Sequence, residues 1–494
     1  MPQKVALEIA NGSYNTDTLP FSAQRCVNAY PVYAENAAYN DSMVVGTPGI
    51  TQLTMSGDAI SGQFRGSIEV EGILYWVAGT SVFKIFANDT VTNIGTIAAG
   101  GRVSMAFNTN YLVIVIPGGN GYTYNIDTDT LAQITDASYI TSDSVVFVDG
   151  RFVYSTTDGA KNFISDLNDP TSYDALNTFS AEASPDNIVS NVVDHNELTT
   201  FGTKTVEFFQ NVGGNGQPFQ RIGGAIIEKG LHAKFGTAIF DNTICFVGGG
   251  INEGSGIWRI SSSSSAQKIS TNAIDQEIQK FTRDEISGYC FAMSYAKDGA
   301  FFLIFTFESI DNRIPSKTFV YDATASANSG KSIWHERQSG LDQSRWRVDS
   351  ITFAHNRFYV SDYTDSSKVG YLDSTAYQEY GDTMIREVVT QPFTQDNKRV
   401  FYSNLEPTLE TGVGLNTGQG SDPQIRMSYS DNGGKDYSTE VSRSMGKIGE
   451  YDKRVIWKGS LGSAPTNRMF KFLVSDPVKF RMIKLESYIA VGTR

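Results

Sequence analysis

The chain has 494 residues, 40% of them hydrophobic and 19% charged, and its 53 acidic and 40 basic side chains leave a net charge of −13. The hydrophobic share excludes a disordered chain, and the length exceeds the roughly 250–300 residues that one compact core holds. The acidity argues against a sequence-reading nucleic-acid binder, and the longest strongly apolar run, "FFLIFTF" (301–307), falls far short of the ~20 residues that span a bilayer.

The first stretch, "MPQKVALEIANGSYN", lacks the apolar core and small-residue cleavage site of a secretory signal, so no export signal and no membrane insertion are expected. Residues 1–60 read as an irregular arm rich in Asn and Tyr, ending near "VVGTPGITQL". From 61 to 384 one pattern recurs: a hydrophobic strand, a tight polar turn, then a second strand ending in an aromatic. It appears in "GILYWVAGTSVFKIF", "YLVIVIPGGNGYTYNID", "SVVFVDGRFVYSTTDG", "ELTTFGTKTVEFFQ" and "SITFAHNRFYVSDY". The turns "VDGR", "FGTK", "FDNT" and "AHNR" supply Gly or Asn where short hairpins need positive φ. Units recur every ~40–55 residues, the period of four-stranded blades. The expected fold is therefore all-β, with a β-propeller-like body of about six blades rather than an open stack of β-sandwiches. The one helical pattern, "TNAIDQEIQKFTRDEI" (271–286), predicts a single short helix with Ile274, Ile278 and Phe281 on one face.

After about residue 384 the register changes. Residues 385–494 read as alternating strands of a small β-sandwich, forming a second platform domain together with the N-terminal arm, because chain ends commonly lie close in space. Within it "SDNGGKDY" (430–437) is close to an Asp-box, a structural hairpin in which short polar side chains cap the turn. From Arg443 onward there are eleven Lys/Arg and four Asp/Glu, a balance of +7 that leaves −20 for the preceding 442 residues. Such asymmetry reports on partners more than on fold. Lys453, Arg454, Lys458, Arg468 and Lys471 are the candidate docking residues. "GEYDKRVIWKGSLG" (449–462) reads as a basic strand pair that docks an acidic neighbour; in such strands Lys453 and Arg454 face opposite sides, and about half of the set lies on the interface.

No chemistry-bearing constellation emerges. His195, His232, His335 and His355 are too far apart for a local metal motif and read as hydrogen-bonding side chains, and no phosphate loop or nucleophile elbow occurs. "DTDTLAQITD" (127–136) lacks the central Gly and final Glu of a calcium loop. Glu182 and Asp186 in "SAEASPDNI" could in principle pair for glycoside hydrolysis but read as a polar loop. Cys26, Cys245 and Cys290 are too sparse for a disulfide framework and read as buried small hydrophobes of a protein made in a reducing cytoplasm. No catalytic, cofactor or metal residues are expected.

Five stretches in order, "GTPGI" (46–50), "GRVSMA" (101–106), "AEASPDNI" (181–188), "TVEFF" (205–209) and "YDKRVIWKGSLG" (451–462), resemble the packaged-DNA stabilisation proteins of short-tailed, podovirus-type bacteriophages, the hub or nozzle of the tail. Residues 311–380 carry no matching motif, so no fibre dock is placed there. The resemblance implies a β-propeller body and a homohexameric ring below the portal and the head-to-tail adaptor ring. It also implies a place in the virion, assembly in the host cytoplasm, and tail fibre or tailspike and tail needle or plug as neighbours. Phage genomic double-stranded DNA would cross its lumen without sequence-specific binding. An acidic lumen suits that passage, since DNA carries one charge per ~1.7 Å and a basic tube would grip it. The basic strand pair of 449–462 would then clamp the adaptor ring or the adjacent subunit. The alternative of a different class is a glycan-binding or glycan-degrading propeller of sialidase or depolymerase type. A sialidase would need an arginine cluster and a Tyr–Glu pair, and the nearest approach is "RDEISGY" (283–289), whose Glu and Tyr stand four positions apart.

Overall fold

In this computed structural model the described residues are 3–9, 11–16, 23–36, 40–181, 186–214, 216–311 and 313–492. Six hairpins turn on two residues that both adopt positive φ: Glu71-Gly72, Asp149-Gly150, His195-Asn196, Asp241-Asn242, Asp298-Gly299 and His355-Asn356. Turns of this kind match the right-handed twist of the strands they join. Each links the first two strands of a four-stranded antiparallel unit.

Six such blades are continuous in sequence, over 64–96, 104–133, 142–179, 188–227, 237–268 and 291–336, as the repeat spacing predicts. A seventh takes three strands from 351–373 and its fourth from Gly49–Gln52, paired antiparallel with Val369–Asp373 (Ile50 opposite Leu372). Gly49–Gln52, assigned by sequence to the arm ending at residue 60, thus belongs to the propeller and closes its ring. Pairing alone explains this: the strand has no local hairpin partner, and its ladder lies more than 300 residues away.

Apolar side chains fill each gap between blades. Leu53, Phe64, Trp76, Tyr359 and Val369 lock blade 7 onto blade 1, and Val113, Val145, Phe152 and Tyr154 join blades 2 and 3. Between blades 5 and 6 the predicted single helix is two, Asn272–Ile278 and Arg283–Tyr289. The break falls at Thr282, whose hydroxyl accepts from Glu285 N while the Glu285 carboxylate accepts from Thr282 N, a reciprocal cap that starts a new helix. Ile274, Ile278, Phe281 and Ile286 still share one core with Val247, Leu303 and Phe305.

The second domain is a β-sandwich. One sheet joins Ala29–Tyr33, Ser42–Gly46 and Gln3–Leu7 from the N-terminal segment with Val400–Leu409 and Arg481–Val491 from the C-terminal one. The facing strands Arg386–Val389, Asn467–Val474, Gln424–Ser430 and Val441–Ser444 continue, through Arg25–Val27, the sheet of blade 6. Arg25 pins this seam: its guanidinium donates to Glu336 of blade 6 at 2.8 and 2.9 Å and to Glu387 of the sandwich at 3.0 Å. Trp457, Phe470, Phe472, Met482 and Leu485 fill the space between the two sheets.

Candidate docking surface

The C-terminal bases fall into three environments. Arg468 is buried. It donates to both carboxylate oxygens of Asp431 (2.6 and 2.7 Å) and to Leu461 O, with its guanidinium 3.9 Å from the Tyr429 ring centroid and 4.8 Å from that of Tyr402. It is a strut of the sandwich and offers nothing to a partner ring. Strand alternation carries the signal: 468, 470, 472 and 474 share a parity, and Phe470, Phe472 and Val474 all belong to the core.

Lys471, on the opposite parity, is half-buried with its ammonium 4.3 Å from the Tyr437 ring centroid. Burial raises the Tyr437 hydroxyl to about 12, so the ring stays neutral beneath that charge.

Arg454 is exposed but already matched, donating to both oxygens of Glu406 at 2.8 Å. Lys453 lies 3.7 Å from Glu450. Lys458 is exposed and has no ion-pair partner among the described residues. Of the strand pair expected over 449–462 only Trp457–Lys458 is strand, paired with Asn404 and Leu405; Lys453 and Arg454 lie on irregular backbone and are both exposed. Turns at Gly446 and Gly449, both with positive φ, shape the chain just before them.

Beside these bases stands an apolar knob that sequence reasoning passed over. Two loops, 410–422 and 445–453, are tied by Thr411 Oγ1 to Tyr451 O (2.7 Å) and Gly449 N to Gly412 O (3.2 Å). They present Leu415, Ile448 and Tyr451, which are 40%, 56% and 72% exposed. The available signal is an Ile and a Tyr inside the Gly-rich, charged run "GKIGEYDK".

Elsewhere polar side chains serve the fold. Asp186 accepts from Lys204 N (2.6 Å) and Thr205 N (3.0 Å), capping the "FGTK" turn, while Glu182 lies outside the described residues. In "SDNGGKDY", Ser430 Oγ accepts from Gly434 N (2.9 Å) and Asn432 Oδ1 from Asp436 N (3.1 Å), as an Asp-box hairpin requires. His195 contacts Asn242 Oδ1 (3.1 Å) and His355 contacts Gly72 O (2.8 Å), so each latches the turn of one blade to that of the next. His232 bonds Ser255 Oγ, and burial lowers it to about 4. His335 departs from the expected hydrogen-bonding role: it is buried between Tyr30 and Phe302 with neither ring nitrogen bonded among the described residues. The three cysteines are buried, and burial pushes the thiols of Cys26 and Cys245 up to about 12. Glu285, the carboxylate nearest a sialidase reading, is spent on its cap, on Ser309 Oγ (2.8 Å) and on Arg313 (3.1 Å).

Comparison with known proteins matches residues 5–377 to the family described as "Bacteriophage P22 Gp10, beta-propeller" and residues 385–489 to "Bacteriophage P22 Gp10, beta-sandwich". A curated relative, "Tail hub protein gp10" of Salmonella phage P22, is 24% identical over 410 residues, covering 78% of this chain and 81% of its own. Among solved structures, the computationally designed Ika8 protein aligns at TM-score 0.38 with 15% identity, over 74% of this chain and 98% of its own. A chain of a mitotic checkpoint complex aligns at 0.40 with 8% identity, over 69% and 99%. Both scores are too low to equate the folds.

Proposed function

The chain belongs to the phage P22 Gp10 family, and from that premise we propose that it forms a homohexameric tail hub that retains packaged DNA and conducts it at ejection. The observation that carries this reading is the continuous match of propeller and sandwich to one structural tail protein over most of both chains. It is a structural protein of the virion. Among the described residues, side chains that the sequence offered for hydrolysis serve the fold: Asp186 caps a turn, Glu285 caps a helix and His355 latches two blades.

The charge layout supports a conduit. The first 442 residues carry −20, so a lumen lined by this part repels the duplex and leaves it free to slide. At the sandwich, internal carboxylates already match several bases, and Lys458 remains the exposed base best placed to meet an acidic adaptor ring. Single exposed pairs are worth only about 0.2–1 kcal/mol, but sixfold repetition makes a complete ring hold while a partial one dissociates.

The test uses DNA-filled portal–adaptor particles that lack their hub. Adding the purified chain should stop DNA leakage and leave about six copies on each particle, the stoichiometry of the proposed ring. Particles that bind no chain, or that bind it and leak as before, would refute the reading. Polysaccharide cleavage abolished by one carboxylate substitution would favour the enzyme instead.

A further inference from the structure

The first strand of each blade touches the first strand of a neighbouring blade, so these strands surround the propeller axis. Where those of blades 1, 5, 6 and 7 begin, at the end away from the two-residue turns, stands a cavity of about 430 Å³. That volume lies in the range of small-molecule sites, ~300–1,000 Å³. Phe64, Phe235, Tyr289 and Phe291 give it aromatic walls, and its charged lining among the described residues is Arg65, Arg102, Lys234, Glu308 and Asp349.

Most of these charges cancel. Lys234 pairs with Asp143 at 2.5 Å. Arg345 meets Glu308 at 2.6 Å and Asp349 at 2.9 Å, and Asp349 stands 3.7 Å from Arg102, so two acids offset two bases. The adjoining 340 Å³ of channel brings no further charged side chain among the described residues. Arg65 is left over. It is 3% exposed, with Nε donating to Gly101 O and Nη1 to Gly79 O and Ala98 O, all at 2.8 Å. Among the described residues its Nη2 is buried without an acceptor. Burial lowers its pKa, and no carboxylate counters that. Gly100, another wall residue, would bring a Cβ within 3.0 Å of Nη2, so the unmatched charge lies at the cavity wall. A buried charge without its opposite is costly, and an arriving anion relieves the cost.

Arg102 has donors to spare. Its side chain is 24% exposed and its guanidinium lies 3.7 Å from the Phe291 ring centroid. Among the described residues it donates only to Asp349 O (3.0 Å), one of the five N–H donors of its fork.

We propose that this cavity binds a small organic monocarboxylate, an oxygen accepting from Arg102, its charge neutralising Arg65 and its apolar body resting on the aromatic walls. One negative charge cancels the single positive charge left on the lining. A phosphate dianion would overshoot it, beside Glu308 and Asp349. The site is complete within one chain and does not rest on the hub reading, which its failure would leave standing.

The test titrates the full-length chain with benzoate, with benzamide as its uncharged counterpart and phenyl phosphate as its dianion, by calorimetry and by melting. Benzoate should bind once per chain and raise the melting temperature. Benzamide and phenyl phosphate should bind about tenfold or more weakly, the scale of one charge-assisted contact. Arg65→Met should erase the preference for benzoate over benzamide, and Arg65→Lys, which restores the charge, should recover it. Arg102→Gln, at a half-buried site, should weaken benzoate about tenfold and keeps the test decisive if Arg65→Met fails to fold. Absent benzoate binding, equal binding of benzoate and benzamide, or tighter binding of phenyl phosphate would each overturn the proposal. So would a preference that survives Arg65→Met or an affinity that survives Arg102→Gln.

Discussion

Substituting Gly49 by Ala tests whether the N-terminal strand closes the propeller. Gly49 does not have positive φ, so the backbone itself would accept a side chain. The obstacle is space. A Cβ would stand 2.7 Å from Ala376 O and closer still to Gln378 O, both backbone atoms, where contacts under 3.0 Å essentially never occur. Segment 376–378 or strand Gly49–Gln52 must therefore shift. That movement strains Gly49 N to Ala376 O and Ile50 N to Gln378 O, both 2.9 Å. Overpacking costs about 1–3 kcal/mol and each buried donor left unsatisfied about 1–3 kcal/mol, so Gly49→Ala should destabilise the closing blade by about 3–5 kcal/mol. Such a loss should appear as local opening before global unfolding, so the assay is amide hydrogen exchange across 49–52 and 369–373. The control is Gly101→Ala, which meets nothing within 4 Å and lacks positive φ, and should be neutral or stabilising by about 0.4–1 kcal/mol. Exchange in the closing blade that matches wild type would show that the strand is not what shuts the ring.

Three further outcomes are expected. Arg468→Met should cost the sandwich about 3–5 kcal/mol in urea by stranding Asp431, with exchange in blades 1–4 unchanged; equal stability would mean that the pair only fills space. Burial, and then the nearby Arg337, lower His335 to about 3, so below about pH 6.5 the unfolded chain takes up a proton that the folded chain refuses, and stability falls with pH. His335→Phe should remove this slope and gain about 2 kcal/mol over wild type at pH 5 relative to pH 7.5, and parallel pH profiles would refute it. Lys458→Glu should weaken docking onto portal–adaptor particles, more so at low salt, without a change in melting; salt-insensitive docking equal to wild type would assign this base to solubility.

The propeller was legible where its information is local. "VDGR", "FDNT" and "AHNR" form the first hairpins of blades 3, 5 and 7, since a two-residue turn needs positive φ whatever surrounds it. "FGTK" is also a turn, but between the second and third strands of blade 4, with Asp186 as its cap. The break in the predicted helix was written in "TRDE", a Thr followed three residues later by Glu, and the apolar period running through it masked the cap. The ring-closing strand was not legible, because "GITQ" pairs across more than 300 residues and nothing local marks its partner. The candidate surface shows the same division. Net charge located a basic end, but burial and pairing remove Arg468 and offset Arg454, and those depend on Asp431 and Glu406, 37 and 48 positions away.

The "GTPGI" stretch shows why these non-local pieces belong together. Strand Ser42–Gly46 lies in the sandwich and strand Gly49–Gln52 in blade 7, so only Thr47 and Pro48 separate the two domains. Blade 7 cannot open without pulling on the sandwich sheet, and a load on the sandwich reaches the propeller closure through two residues of chain. The surroundings hold that link in one position. Arg337, fully buried, donates to Pro48 O (3.3 Å) and Glu379 (3.4 Å), and Glu379 also accepts from Trp346 Nε1 (2.7 Å) and Ser339 Oγ (2.5 Å). A buried ionic network adds little net stability over an apolar one, yet it penalises misaligned arrangements heavily, because each would strand a charge. With the Arg25 seam on blade 6, the sandwich is fixed at two adjacent blades, by continuous sheet at one and by continuous chain at the other. Two attachments resist rotation where one would act as a hinge, so the sandwich and the propeller keep one relative orientation under load.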